Sequence, residues 1–117
     1  MLDREILKGA GIDYEDGVRR CGDNSGLYER LLSLFLADDN FEGAKKGLAD
    51  KDYDELFSRT HEIKGMSGNM SITDVYRTSS NVVALLRAKD YDAIPAAFAE
   101  LEDAYGKATD AIESAQG

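Results

Sequence analysis

The sequence predicts an all-α protein, an antiparallel four-helix bundle preceded by short N-terminal helices. Three observations carry this. Period-2 alternation of apolar and polar residues is nowhere sustained, so strands have no pattern to form from. The single proline, Pro95, leaves the other long segments uninterrupted. Apolar residues instead recur at three- and four-residue spacing along most of the 117 residues.

Taken in order, "MLDREILK" is expected to form a short helical arm. "YEDGVRRC" follows Asp13, a good N-cap, and stops at Gly22, a good C-terminal cap. After the turn "GDNSG", Leu27, Leu31, Leu34, Phe35, Phe41, Ala44 and Leu48 space out one long helix, bent or interrupted near "ADDN" and weakened by Gly43 and Gly47. "DKD" opens the next helix, with Tyr53, Leu56, Phe57, Thr60, Ile63, Ser67 and Met70 on one face. "NMS" ends it, and Ser71 with Asp74 resembles a capping box with a shortened acid. Ile72, Val75, Ser79, Val82, Val83 and Leu86 line the helix that follows. Asp92 is placed to cap the last helix, with Pro95 in its first turn where a missing N–H is harmless. Its seam is Ile94, Phe98, Leu101, Tyr105, Ala108 and Ile112, and the tail "ESAQG" is expected to fray.

"KDYD" occurs at 51–54 and again at 89–92, each time before a long helix. Two independent acid-rich helix starts are the simpler explanation of so short a repeat. The expected organisation is one domain over residues 1–117, with the bundle over roughly 25–114 and the helical arm over roughly 1–22.

Composition narrows the function classes. Lys and Arg number 14 against 23 Asp and Glu, for a net charge of −9. A nucleic-acid binder needs a basic face to displace counterions, and an anionic membrane would repel this chain. No apolar run approaches the ~20 residues of a membrane span. The one cysteine, Cys21, has no internal partner for a disulfide. "MLDREILKG" carries charges where a secretory signal needs an apolar run. The expected compartment is the cytoplasm, and the expected partner is a protein or a small ligand.

The stretch "THEIKGMSGN" (60–69) holds the only histidine and two glycines in a segment whose flanks are helical. At about 100° per residue the buried face centres near Thr60 and Ser67, which leaves His61 beyond its edge and exposed. Lys64, Gly65 and Gly68 fall within roughly 60° of His61, so the four residues form one strip. Each glycine costs the helix about 1 kcal/mol relative to alanine. Without a Cβ at 65 and 68, the surface beside the imidazole is bare backbone that another protein's loop could approach. A neutral imidazole is a good nucleophile near neutral pH, and Lys64 offers a mobile positive charge one turn along. That combination suits transient holding of a phosphoryl group.

"HEIKGMSG" resembles the signature of the histidine-containing phosphotransfer (HPt) domain family: His-x-x-Lys-Gly, then a small residue three further on, carried by one helix of a four-helix bundle. "GIDYEDGVRRCGDNSGLYERLLSLF" is similar to the family's lead-in, and "KDYDELFSRTHEIKG" to its motif helix. The resemblance implies a phosphorelay carrier. His61 would accept a phosphoryl group from a receiver-domain aspartate and pass it to another receiver, with Lys64 offsetting charge on the phosphoryl oxygens. Gly65 and Gly68 would leave room for the receiver, and Asp54, Phe57 and Ser58 are candidate docking contacts, although core packing is the commoner role for Phe57. No cofactor is expected on this chain, because Mg²⁺ would belong to the partner receiver. Response-regulator receiver domains are the implied partners, with a hybrid sensor kinase as a further candidate, and a monomer is expected.

Many family members carry a polar residue on the neighbouring helix where this chain has Val83. Antiparallel pairing brings Ser80 nearest His61, with Asn81 or Ser79 as substitutes, so these are candidates for orienting the ring. "HEIK" also resembles the opening of a sensor-kinase phosphoacceptor box, but Gly65 and Met66 replace its continuation and no ATP-binding module is present, so autophosphorylation is not expected. The alternative is a non-catalytic helical adaptor that binds a receiver without accepting phosphate. It has no need of the histidine, the lysine or the two glycines. A metalloenzyme lacks a second histidine at ligand spacing.

Overall fold

Most helices begin where the chain supplies an acceptor for their unpaired N–H groups, or where a turn forces a new direction. The structure is a computed structural model that describes residues 2–116. α1 (Arg4–Gly9) is capped by Asp3, whose carboxylate accepts from the N–H groups of Glu5 and Ile6. α2 (Tyr14–Arg20) is capped by Asp13 through the N–H of Asp16, and the chain leaves it through Gly22 at φ +67°. α3 (Ser25–Ala37) is capped by Asn24, and α5 (Tyr53–Asn69) by Asp52. α4 (Asn40–Ala49), α6 (Thr73–Arg87) and α7 (Ile94–Ala115) complete the chain. Among the described residues there is no strand, only an isolated antiparallel bridge between Ile12 and Ile72.

The all-helical class is therefore as the periodicity predicts, but among the described residues there are seven α-helices, so a count of four long ones after short leaders does not hold. The helix expected from Leu27 to Leu48 is two, α3 and α4, with the interruption falling at "ADDN" as expected. Asp38 adopts extended backbone (φ −71°, ψ 141°), and its carboxylate accepts from both the N–H and the side-chain amide of Asn40. Because the helical phase restarts there, the apolar stripe of α3 does not continue that of α4. Leu27 and Leu34 are exposed, at 42% and 55%, while Tyr28, Leu32 and Phe35 face inward.

Successive helices from α4 to α7 pack against each other, and α7 also packs on α1 and α3. The buried stripes follow the predicted spacing: Leu56, Thr60, Ile63 and Ser67 on α5; Val75, Ser79, Val82, Val83 and Leu86 on α6; Ile94, Phe98, Leu101, Ala108 and Ile112 on α7. Each fully buried Leu, Ile or Val contributes about 2 kcal/mol relative to exposure. Phe41 stacks on Tyr105 at 4.4 Å and on Phe98 at 5.6 Å, joining α4 to α7. Burial pushes the Tyr105 phenol up to about 12.

The two "KDYD" segments make the same turn. Lys51 and Lys89 both adopt left-handed backbone, at φ 55° and 56°, and Tyr53 and Tyr91 stack with ring centroids 4.3 Å apart. Three other sequence expectations need correcting. Ser71 does not cap α6; it is left-handed (φ 56°), and its hydroxyl donates to Asp16 at 2.6 Å. Asp92 lies in a 3-10 turn (Tyr91–Ala93) and caps nothing, although Pro95 does occupy the first turn of α7. The C-terminal tail is helical through Ala115, which is buried and whose carbonyl accepts from the N–H of Asp3 at 3.3 Å. Only Gly117 of that tail lies outside the described residues.

Candidate functional site

α5 carries the strip. Its Asp52 cap, its buried stripe and the departure of the chain at Met70 fix its rotation, and that rotation turns His61 outward. His61 and Gly65 are exposed, while Lys64 and Gly68 are half-buried. The four residues line one groove of about 470 Å³, together with Asn69, Thr73 and Tyr76 and, from α2, Asp16 and Arg20. Among the described residues, Lys64 makes no salt bridge and the His61 ring makes no hydrogen bond. Both are available to an incoming group.

The two glycines differ. A Cβ on Gly65 would meet nothing within 4 Å, so the approach to the imidazole is clear on that side. A Cβ on Gly68 would press on the Tyr76 ring at 3.0 and 3.1 Å. The expectation of bare backbone at both positions thus needs correcting at Gly68, which makes room for an aromatic side chain of α6. Tyr76 is itself 44% exposed, so it forms the rim of the groove and leaves it open.

On the N-terminal side of His61, Asp54 and Ser58 are exposed. Phe57 is half-buried, packs against the core and stacks with the His61 ring at a centroid distance of 5.8 Å. The Arg87 guanidinium, from the end of α6, lies 5.6 Å from the Phe57 centroid. Phe57 thus stacks directly on the imidazole. Ser80 and Asn81 do not bond the ring: Asn81 is exposed, and the Ser80 hydroxyl is buried with no hydrogen-bond partner. Ser79 donates to the carbonyl of Val75 at 2.6 Å, the local bond a mid-helix serine commonly makes. The buried Thr60 hydroxyl, on the other side of the strip, also lacks a partner.

Arg20 and Tyr76 were not singled out from the sequence. The Asp16, Arg19, Arg20 spacing announces ion pairs within α2, and those form. Their placement at the groove depends on contacts between residues far apart in the chain. The N–H of Asp13 donates to Ser71 at 2.9 Å, and the N–H of Thr73 donates to Gly11 at 2.8 Å. Tyr28, fully buried beneath α2, donates its hydroxyl to the carbonyl of Met70 at 2.6 Å. α2 is thereby held on the turn between α5 and α6. The Ser71 hydroxyl and the guanidinium groups of Arg20 and Arg19 hold the Asp16 carboxyl well below its ordinary range.

The described residues form a small helical domain with an exposed imidazole, a lysine outside any salt bridge and a bare glycine on one strip. The family model of the Hpt domain matches residues 30–111, and the chain belongs to that family. Hpt domains are phosphotransfer carriers of two-component phosphorelays and are not kinases. The fold is similar to the crystal structure of the HPT domain from the Hpt sensor hybrid histidine kinase of Shewanella, with a TM-score of 0.80 and 18% identity over 90% of this chain and 92% of that one. No curated protein matches the sequence. Among the described residues, no helix is long and apolar enough to cross a membrane, and no cluster of three or more His, Cys, Asp or Glu side chains could hold a metal ion.

Proposed function

We propose that His61 takes a phosphoryl group from the aspartyl phosphate of a receiver domain and gives it to a second receiver. The observation that carries this reading is the groove in which an exposed imidazole, an unpaired Lys64 and an open Gly65 lie together. A neutral ring nitrogen attacks phosphorus; the N–P bond forms as the P–O bond to aspartate breaks, and the carboxylate leaves. The second ring nitrogen keeps its proton. Transfer onward reverses these bond changes on another carboxylate. Lys64 balances the oxygens of the group in transit, and positioning with charge balance is most of what phosphoryl transfer requires. Phe57, stacked on the ring, limits its rotation. Asp54 and Ser58 border the receiver on one side and Gly65 on the other.

Mg²⁺ belongs to the receiver in this scheme. The whole chain acts as one cytoplasmic domain, the N-terminal arm included, packed as an antiparallel bundle around α5, and it works as a monomer. The reading is tested by mixing the protein with a phosphorylated receiver. The wild type should gain an acid-labile, base-stable phosphate, and His61→Gln should abolish the gain. Wild-type protein that stays unlabelled with several charged receivers would favour the adaptor role instead. Lys64→Ala should slow transfer or shorten the phosphohistidine lifetime, and unchanged values for both would remove the lysine from the mechanism.

A further inference from the structure

We propose that Arg20 is a second cation for the phosphoryl group on His61, released to it from Asp16; this rests on His61 being the phosphoacceptor. Arg20 is the last residue of α2, and it lines the same groove as His61 and Lys64. Its Nε donates to Asp16 at 2.8 Å, while its two terminal nitrogens make no hydrogen bond among the described residues. The side chain is 53% exposed, so the planar fork is at hand for a ligand in the groove.

Charge balance calls for such a group. A phosphoryl group brings about −1.5 to −2 of charge. Lys64 supplies one positive charge, and the carboxylate of Asp16 adds a negative one to the same groove. Arg19, also on α2, is engaged with Asp16, and Asn69, Thr73 and Tyr76 are neutral. Among the described residues that line the groove, Arg20 is the cation beside Lys64, and Arg19 is not part of the lining.

Asp16 is built to let it go. Its carboxylate accepts from Ser71 and Arg19 as well as from Arg20, so two donors remain when Arg20 turns away. A phosphoryl group offers three strong acceptor oxygens, and guanidinium binds such groups through two parallel N–H bonds. The exchange therefore strengthens the bonding of Arg20 without stranding Asp16. Ser71 and the backbone ties to the α5–α6 turn keep α2 in place meanwhile.

The test phosphorylates the full chain with phosphoramidate, which needs no receiver, and follows ³¹P and side-chain ¹H–¹⁵N resonances. In the wild type the Arg20 guanidinium resonances should shift on phosphorylation. Arg20→Gln should shorten the phosphohistidine lifetime about tenfold, the scale of one lost charge-assisted hydrogen bond. Arg20→Lys should recover part of that loss. Arg77→Gln, which makes the same charge change on α6 away from the groove, should leave the lifetime unchanged. Unmoved Arg20 resonances together with a wild-type lifetime in Arg20→Gln would overturn the role of Arg20 and leave the carrier reading standing. An equal loss in Arg77→Gln would also overturn it, by reducing the effect to net charge. Failure of the wild type to take phosphate on His61 would overturn both readings.

Discussion

Gly17 on α2 and Gly65 on α5 are both helix-interior glycines, and they face opposite surroundings. A Cβ on Gly17 would fall 2.2 Å from the ring of Tyr28, which is fully buried and anchored to Met70. A Cβ on Gly65 would meet nothing. The first glycine is required by packing: without it α2 could not lie over Tyr28 and reach the α5–α6 turn. The second lowers the helical stability of α5 and gains no contact for it. That opening is where the receiver of the proposed function would need room.

The same substitution should separate the two. Gly17→Ala should destabilise the protein by about 3 kcal/mol, the upper range for overpacking against a neighbour that cannot yield. Urea unfolding measures this, and a loss below a few tenths would mean that Tyr28 has room to move. Gly65→Ala should instead stabilise by about 1 kcal/mol through helix propensity, while transfer from a receiver slows. Stabilisation with an unchanged transfer rate would remove Gly65 from the docking surface. Gly68→Ala falls between: Tyr76 must give by a few tenths of an ångström, so the stability change should be under about 1 kcal/mol in either direction. A crystal structure of that variant with an unmoved Tyr76 would contradict the placement of the ring.

The smallest effect expected is on pH dependence. Asp16 is held below its unfolded value by Ser71, Arg20 and Arg19. Its contribution to the docking of α2 is fully present above the ordinary carboxylate range and is lost as pH falls through the depressed folded value. Protection factors of the α2 amides, which remove the intrinsic pH dependence of exchange, should therefore hold at pH 4 and drop only in stronger acid. In Asp16→Asn that acid step should disappear. Persistence of the step would assign it to another carboxylate.

How much of this was legible from residues alone depends on how local each signal is. The Asp13, Gly22 and Asp52 boundaries rest on bonds within a few residues, and all three form. The exposure of His61 follows from the phase of α5, which a long apolar stripe defines well. Ser71 was misread because Ser-x-x-Asp fits a capping box equally well when the serine is left-handed and bonded elsewhere. The break at Asp38 was visible as "ADDN", but its effect on the burial of Leu27 and Leu34 was not, since phase cannot be carried across a non-helical residue. Arg20, Tyr76 and the covering of Gly68 depend on which helices become neighbours, and local spacing carries no record of that.

The solitary imidazole has a practical corollary. A sample labelled with ¹⁵N-histidine displays a single pair of ring nitrogens, with no second copy to overlap them. Tautomer, protonation and covalent modification at the groove can then be followed as the reaction runs, without mutating anything. The molecule comes with its own reporter.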